Sequence, residues 1–188
     1  MYLKSRVIDG CSIKTREGDI WKSMIQRCNS IGLHPSYDDC YVSADFLDFQ
    51  RFAEWCNRQS NFGLVDNLGK RLQLDKDLLY KHNKVYSPEA CVFVPAEINM
   101  FMVKRNGARG NCPIGVCYRE KQNKFEANCN LGSGRQKYLG THATPEQAFA
   151  VYKEFKENLG RELAEKYSAL IPATAYNALC NYEVSIED

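Results

Sequence analysis

Eight cations and two acids fall between residues 104 and 142, a local net charge of +6 in a chain whose total is only +2. Within that stretch Asn128 and Asn130 alternate with Phe125, Ala127 and Cys129. If the apolar set turns inward, strand alternation sends Lys124, Glu126, Asn128 and Asn130 to the opposite, open face. Arg119, Lys121, Arg135 and Lys137 cluster at the strand ends and turns around it, although the parity of the last strand leaves the face of Lys137 open. Cations so placed gain affinity for a polyanion by releasing its counterions, and asparagine amides can pair with base edges. The chemistry expected is recognition of a polyanion, a nucleic acid above all, by Lys104, Arg105, Arg109, Arg119, Lys121, Lys124, Asn128, Arg135 and Lys137. A β module that binds another protein, or a solvated stretch balanced by the acidic residues after it, would carry the same charge.

A second group of chemically capable residues lies upstream: Asp75, Lys76 and Asp77, then His82, then Asn99. On residue type alone the two carboxylates read as surface partners for Lys70 or Arg71, His82 as an exposed turn histidine, and Asn99 as a helix residue bonded to backbone. Cys112 and Cys117 are the one close cysteine pair, with no second pair or histidine at zinc-finger spacing, so no structural zinc is expected. The chain has no phosphate loop, nucleophile elbow or dinucleotide fingerprint.

The elements that must position these residues follow from periodicity. Asp19 is an expected N-cap for a helix of about three turns carrying Ile20, Met24 and Cys28, and Ser43 caps a second with Phe46, Phe49, Ala53 and Cys56 on one face. Leu72, Leu74 and Leu78 alternate as in a strand interrupted by Lys76; residues 91–94 form a short buried strand, and Pro95 opens a helix over residues 96–103. Three β segments follow, at residues 114–118, 124–130 and 136–140. Thr144, Pro145 and Gln147 then open a long helix as a capping box, with Ala148, Val151, Tyr152, Phe155, Leu159, Leu163 and Tyr167 as its buried stripe. A short apolar stretch over residues 173–180 and a strand over residues 182–186 complete the reading.

Gly115-Val116, Arg119, Lys124-Phe125, Ala127, Tyr138-Leu139-Gly140-Thr141, Thr144, Glu146, Ala148 and Tyr152 stand in the order and spacing of the APETALA-type (ethylene-response-factor) DNA-binding domain, which this part of the chain resembles. Phe125 and Tyr138 replace the family's two tryptophans. The resemblance implies a sheet that enters the major groove. Upstream, Leu74-Asp75-Lys76-Asp77 and residues 87–99 resemble the ββα-metal core of the His-Asn-His (HNH) endonucleases, in particular a bacteriophage, homing-type branch. By position Asp75 matches the family's metal-binding Asp and Asn99 its helix ligand. This implies a Mg²⁺ or Mn²⁺ ion and hydrolysis of a phosphodiester by an attacking water. Lys76 stands where the family has its general-base His, and Ala90 where it has its middle Asn. A lysine is normally protonated near neutral pH, so Lys76 or the nearby imidazole of His82 would have to assist.

Composition sets the remaining bounds. The 188 residues are 44% hydrophobic and 26% charged, ordinary for a folded protein, and no apolar run is long enough to span a bilayer. The first residues lack the order of a secretory signal, and nine scattered cysteines inside apolar patterns read as reduced thiols, which together imply a cytoplasm, the host cell's if the phage resemblance holds. The expected fold is α+β: a helical N-terminal region and ββα-metal-like centre over residues 1–103, a basic linker over 104–111, and a three-stranded antiparallel sheet on one long helix over 112–188. The expected function is a phage endonuclease acting on double-stranded DNA, with two alternatives. One is a catalytically inactive DNA-binding protein; the other is an accessory protein that inhibits a host enzyme or defence system, with residues 1–62 as its contact surface.

Overall fold

The computed structural model of the chain describes residues 1–8, 11–29, 37, 39–103, 110–132 and 134–188. Their contacts divide it into two units, Met1–Val94 and Pro95–Asp188, in a mixed α+β architecture. No helix among the described residues is long and apolar enough to cross a membrane.

The first unit begins with an antiparallel hairpin, β1 (Ser5–Ile8) against β2 (Cys11–Lys14), which the sequence pattern does not announce. Helix α1 (Arg16–Asn29) starts a turn earlier than expected: Asp19 lies inside it, and the Thr15 hydroxyl caps it by accepting from the Gly18 N–H at 3.2 Å. The helix expected after Ser43 is two. Ser43 caps α2 (Ala44–Leu47), and Asp48 ends it and caps α3 (Phe49–Arg58) by accepting from the N–H groups of Gln50 and Arg51. Strands β3 (Tyr41–Val42) and β5 (Val85–Tyr86) pair in parallel; β4 (Gln73–Asp75) and β6 (Val92–Val94) pair antiparallel. The core gathers Met24, Phe46, Phe52, Phe62, Leu74 and Phe93. Phe46 and Phe52 meet edge-to-face at 5.0 Å between ring centroids, a favoured aromatic geometry.

The second unit starts with α4 (Ala96–Met102) and continues with a meander, β7 (Val116–Arg119), β8 (Lys124–Gly132) and β9 (Arg135–His142), in which each strand pairs antiparallel with the next. Thr144 caps α5 (Pro145–Lys166) by accepting from the Gln147 N–H, with Pro145 in the first turn, as the sequence predicts. Helix α5 packs on all three strands and on α6 (Ala173–Cys180). Its buried residues are Ala148, Phe149, Tyr152, Lys156, Gly160, Leu163 and Ala164, so the stripe runs through Lys156 and Gly160 rather than Phe155 and Leu159. Gly160 is the point of closest approach of α6: a Cβ there would lie 2.9 Å from the Leu179 carbonyl oxygen. Gly115, with φ +79°, likewise leaves room for the Tyr152 ring. Residues 182–186 form no strand.

The sequence draws the boundary after residue 103, but the contacts draw it at Val94/Pro95. Helix α4 belongs with the second unit because its inward residues find partners there. Phe101 meets Tyr182 at 4.9 Å between ring centroids, and the buried Lys156 donates to the Phe101 carbonyl at 2.6 Å.

Candidate nucleic-acid interface

Strand register decides which side chains share a face, because directly opposed residues point the same way. The pairs Arg119↔Lys124, Cys117↔Glu126, Glu126↔Thr141, Asn128↔Tyr138 and Asn130↔Gln136 therefore build one face of the meander. The other face carries Val116, Ala127 and Cys129, all fully buried, on the side that α5 covers. Lys124 and Gln136 are exposed on the open face, and Tyr138 is 57% exposed.

The parity of the third strand is set by a bulge. Ala127 pairs with Gly140 but Asn128 with Tyr138, so Leu139 is an extra residue and the alternation slips by one. The slip brings Tyr138 and Gln136 onto the open face and puts Lys137 opposite the buried Cys129, on the other face from Lys124. Lys137 is exposed there. Arg135 is exposed at the start of β9, opposite Gly132. Lys121 lies in a 3₁₀ turn, Glu120–Gln122, and lines an open cavity of about 1270 Å³ with Tyr118, Asn123, Phe125 and Pro145. Lys104, Arg105 and Arg109 lie outside the described residues, as does most of the expected linker.

A polar network ties the open face together. The Arg119 Nε–H donates to Glu126 Oε2 at 2.6 Å and Nη2 donates to Oε1 at 2.9 Å, a bidentate pair. Asn128 Nδ2 donates to the same Glu126 Oε1 at 2.6 Å. These bonds, Arg119's first and then Asn128's, hold the Glu126 carboxyl below its ordinary pKa, and Glu126 in turn raises that of Arg119. Beside them the hydroxyls of Tyr138 and Thr141 bond at 2.7 Å. Asn130 Oδ1 accepts from the Gly132 N–H at 3.0 Å, while its Nδ2 is buried with no partner among the described residues. Strand alternation finds Glu126 and Asn128 but not Gln136, Tyr138 or Thr141, because the bulge is marked only by Gly140 beside it, at φ +116°.

Upstream, Asp75 and Lys76 build a hydrogen-bonded turn at the end of β4. Asp75 ends β4 and is 4% exposed, and its Oδ1 accepts from the N–H groups of Asp77 (3.0 Å) and Leu78 (2.8 Å). The carboxylate thereby turns the chain and stops the strand short of Leu78. Burial, countered by the Leu78 N–H and reinforced by the charge of Asp77, raises the Asp75 pKa to about 6. Lys76 is 5% exposed, and its ammonium donates to Asp77 Oδ1 at 2.6 Å and to the Asn83 carbonyl at 2.8 Å. Burial alone would lower the Lys76 pKa, but the hydrogen bond and charge of Asp77 outweigh it and the pKa is raised. Such a group stays protonated and cannot take a proton from water. Asn83 completes the lock, donating to the carbonyls of Lys76 and Val85 at 2.7 Å each. His82 is exposed in a turn with φ +59°, and Ala90 is buried. Asn99 sits half-buried on α4, in the second unit, whereas Asp75 belongs to the first.

A Mg²⁺ or Mn²⁺ ion on Asp75 Oδ1 would share that oxygen with two backbone N–H donors and lie near the Lys76 ammonium. Among the described residues no group of three or more His, Cys, Asp and Glu side chains is placed to hold a metal. Compared with family models, curated proteins and solved structures, the chain matches none of them.

Proposed function

We propose that the protein binds double-stranded DNA through the open face of β7, β8 and β9, without cleaving it. The observation that carries this reading is the row Arg119, Lys124, Asn128 and Tyr138 on one exposed sheet face whose reverse side is closed by α5. Lys124 and the strand-end cations Lys121 and Arg135 supply phosphate contacts, while Arg119 and Asn128 lie where base edges would meet the sheet. The APETALA-type residue order supports the same face. Of the sequence expectations, the inactive DNA-binding protein is the one that agrees with an Asp75 carboxylate bonded to backbone and a Lys76 locked to Asp77.

The test is binding to a fluorescent duplex across a salt series. Each phosphate contact adds about 0.9 to the slope of log affinity against log salt, so Arg119→Ala with Lys124→Ala should flatten it by about 0.9, the share of Lys124, and weaken binding at least tenfold. No wild-type binding at low salt, or a double variant indistinguishable from wild type, refutes the proposal. Supercoiled plasmid incubated with the protein and Mg²⁺ or Mn²⁺ should stay intact; nicking that Asp75→Ala abolishes would restore the endonuclease reading.

A further inference from the structure

Glu126 is an odd residue to find in the middle of a face meant for a polyanion. It is 20% exposed, against 51% for Arg119, and both of its oxygens are engaged from within the sheet. Its effect on the neighbours is geometric. With Nε–H and one Nη2 hydrogen held by the carboxylate, Arg119 keeps its outer guanidinium edge: the second Nη2 hydrogen and both on Nη1. Asn128 is fixed in one amide orientation, because its oxygen turned toward Glu126 would set acceptor against acceptor. Its Oδ1 and second Nδ2 hydrogen are therefore not used by Glu126. Glu126 thus converts two flexible side chains into a fixed row, donor–donor at Arg119 and donor–acceptor at Asn128.

We infer that Glu126 is the specificity-setting positioning residue of this face, selecting duplexes in which a guanine and an adenine occupy adjacent steps. The inference rests on the DNA-binding reading above. A donor pair matches guanine O6 and N7, and a donor–acceptor pair matches adenine N7 and N6–H. The two groups meet on a single carboxylate oxygen, at 2.9 Å and 2.6 Å, so their outward edges address neighbouring base pairs, which stack about 3.4 Å apart. The negative charge also acts against wrong partners. A duplex that leaves Arg119 without its guanine brings phosphates toward Glu126 and gains nothing in return, which is discrimination by repulsion.

The experiment is selection from a random-sequence duplex pool by the full-length wild type, Glu126→Gln and Asn128→Ala, followed by affinities for the selected duplex and a scrambled one. The wild type should enrich a step containing guanine beside adenine. Glu126→Gln, which keeps size but removes the charge and one acceptor, should bind scrambled duplex up to tenfold tighter and lose at least tenfold in its selected-to-scrambled ratio. Asn128→Ala should lose the adenine preference without the gain on scrambled duplex. Circular dichroism checks that each variant is folded. If wild type and Glu126→Gln select the same sequence with the same ratio, the inference falls and the DNA-binding reading stands. If no variant binds any duplex at low salt, both fall.

Discussion

The Asp75 carboxylate and the Lys76 ammonium face opposite demands from one another, and their substitutions separate a cap from a ligand. Asp75→Ala leaves the N–H groups of Asp77 and Leu78 without their acceptor in a buried turn, a loss of about 1–3 kcal/mol. Asp75→Asn keeps an oxygen in the same place and removes a buried charge. The folded-state pKa of about 6 lies above the ordinary value of 3.8, so the folded chain holds this proton more tightly than the unfolded one. That contribution to stability is present at low pH and is lost as pH rises through about 6. Asp75→Asn should therefore match or exceed wild-type stability at pH 7, with its advantage shrinking as pH falls from about 6 to about 4. Denaturant melts at several pH values read this directly; a Asn variant as damaged as the Ala variant would sink the capping account. The run of residues 74–77 is legible as a place where carboxylates gather, but not as a cap. An acid at a strand end has the same sequence whether it points at its own backbone or at an ion, and the burial of Lys76 depends on the Asn83 carbonyl, seven residues away.

Helix α5 shows the same limit at the scale of an element. Its start was legible, because Thr144 and Pro145 act locally, and so were Ala148, Tyr152, Leu163 and Tyr167 of its buried stripe; the middle, at Lys156 and Gly160, was not, because α4 and α6 cover it. A lysine counts as surface in any polarity pattern, yet Lys156 is 6% exposed, donates to the Phe101 carbonyl and lies 3.8 Å above the Phe101 ring. Burial lowers its pKa from 10.5 to about 8, with the thiol of Cys129 on β8 opposing the shift weakly. Here the unfolded chain is the tighter proton binder, so stability rises with pH between about 8 and about 10.5. At 1.36 kcal/mol per unit, that rise is about 3 kcal/mol. Lys156→Met lacks it. The difference in unfolding free energy between wild type and Lys156→Met should shift toward wild type by about 2 kcal/mol of this from pH 7.5 to pH 10, other titrating groups being common to both. A difference that stays constant with pH would mean that Lys156 is solvated in the folded protein.

At the scale of the whole molecule the open question is what folds with what. The basic, glycine-containing residues 104–110 read as the natural seam, since composition reports where a chain is polar and not where its apolar side chains are received. The alternation of Ile98 and Phe101 told that α4 has a buried side; it could not tell which unit supplies the other half. The structure assigns it to the second unit through Phe101 against Tyr182, Lys156 on the Phe101 carbonyl, and Glu97 bonded to both Lys166 and Tyr167. Two fragments test the assignment. Residues 95–188 should fold as a cooperative unit and bind duplex DNA with the salt slope of the full chain. Residues 110–188 lack α4, whose buried Ile98 and Phe101 are worth about 1.5–3 kcal/mol each, and expose the part of β8 that α4 packs on. The shorter fragment also leaves Lys156 buried with no carbonyl to accept from it. Its unfolding free energy should be lower by at least about 3 kcal/mol, seen as an earlier urea midpoint, while any folded fraction keeps the open face and its binding. Equal stability of the two fragments would return α4 to the first unit and restore the seam at residues 104–110.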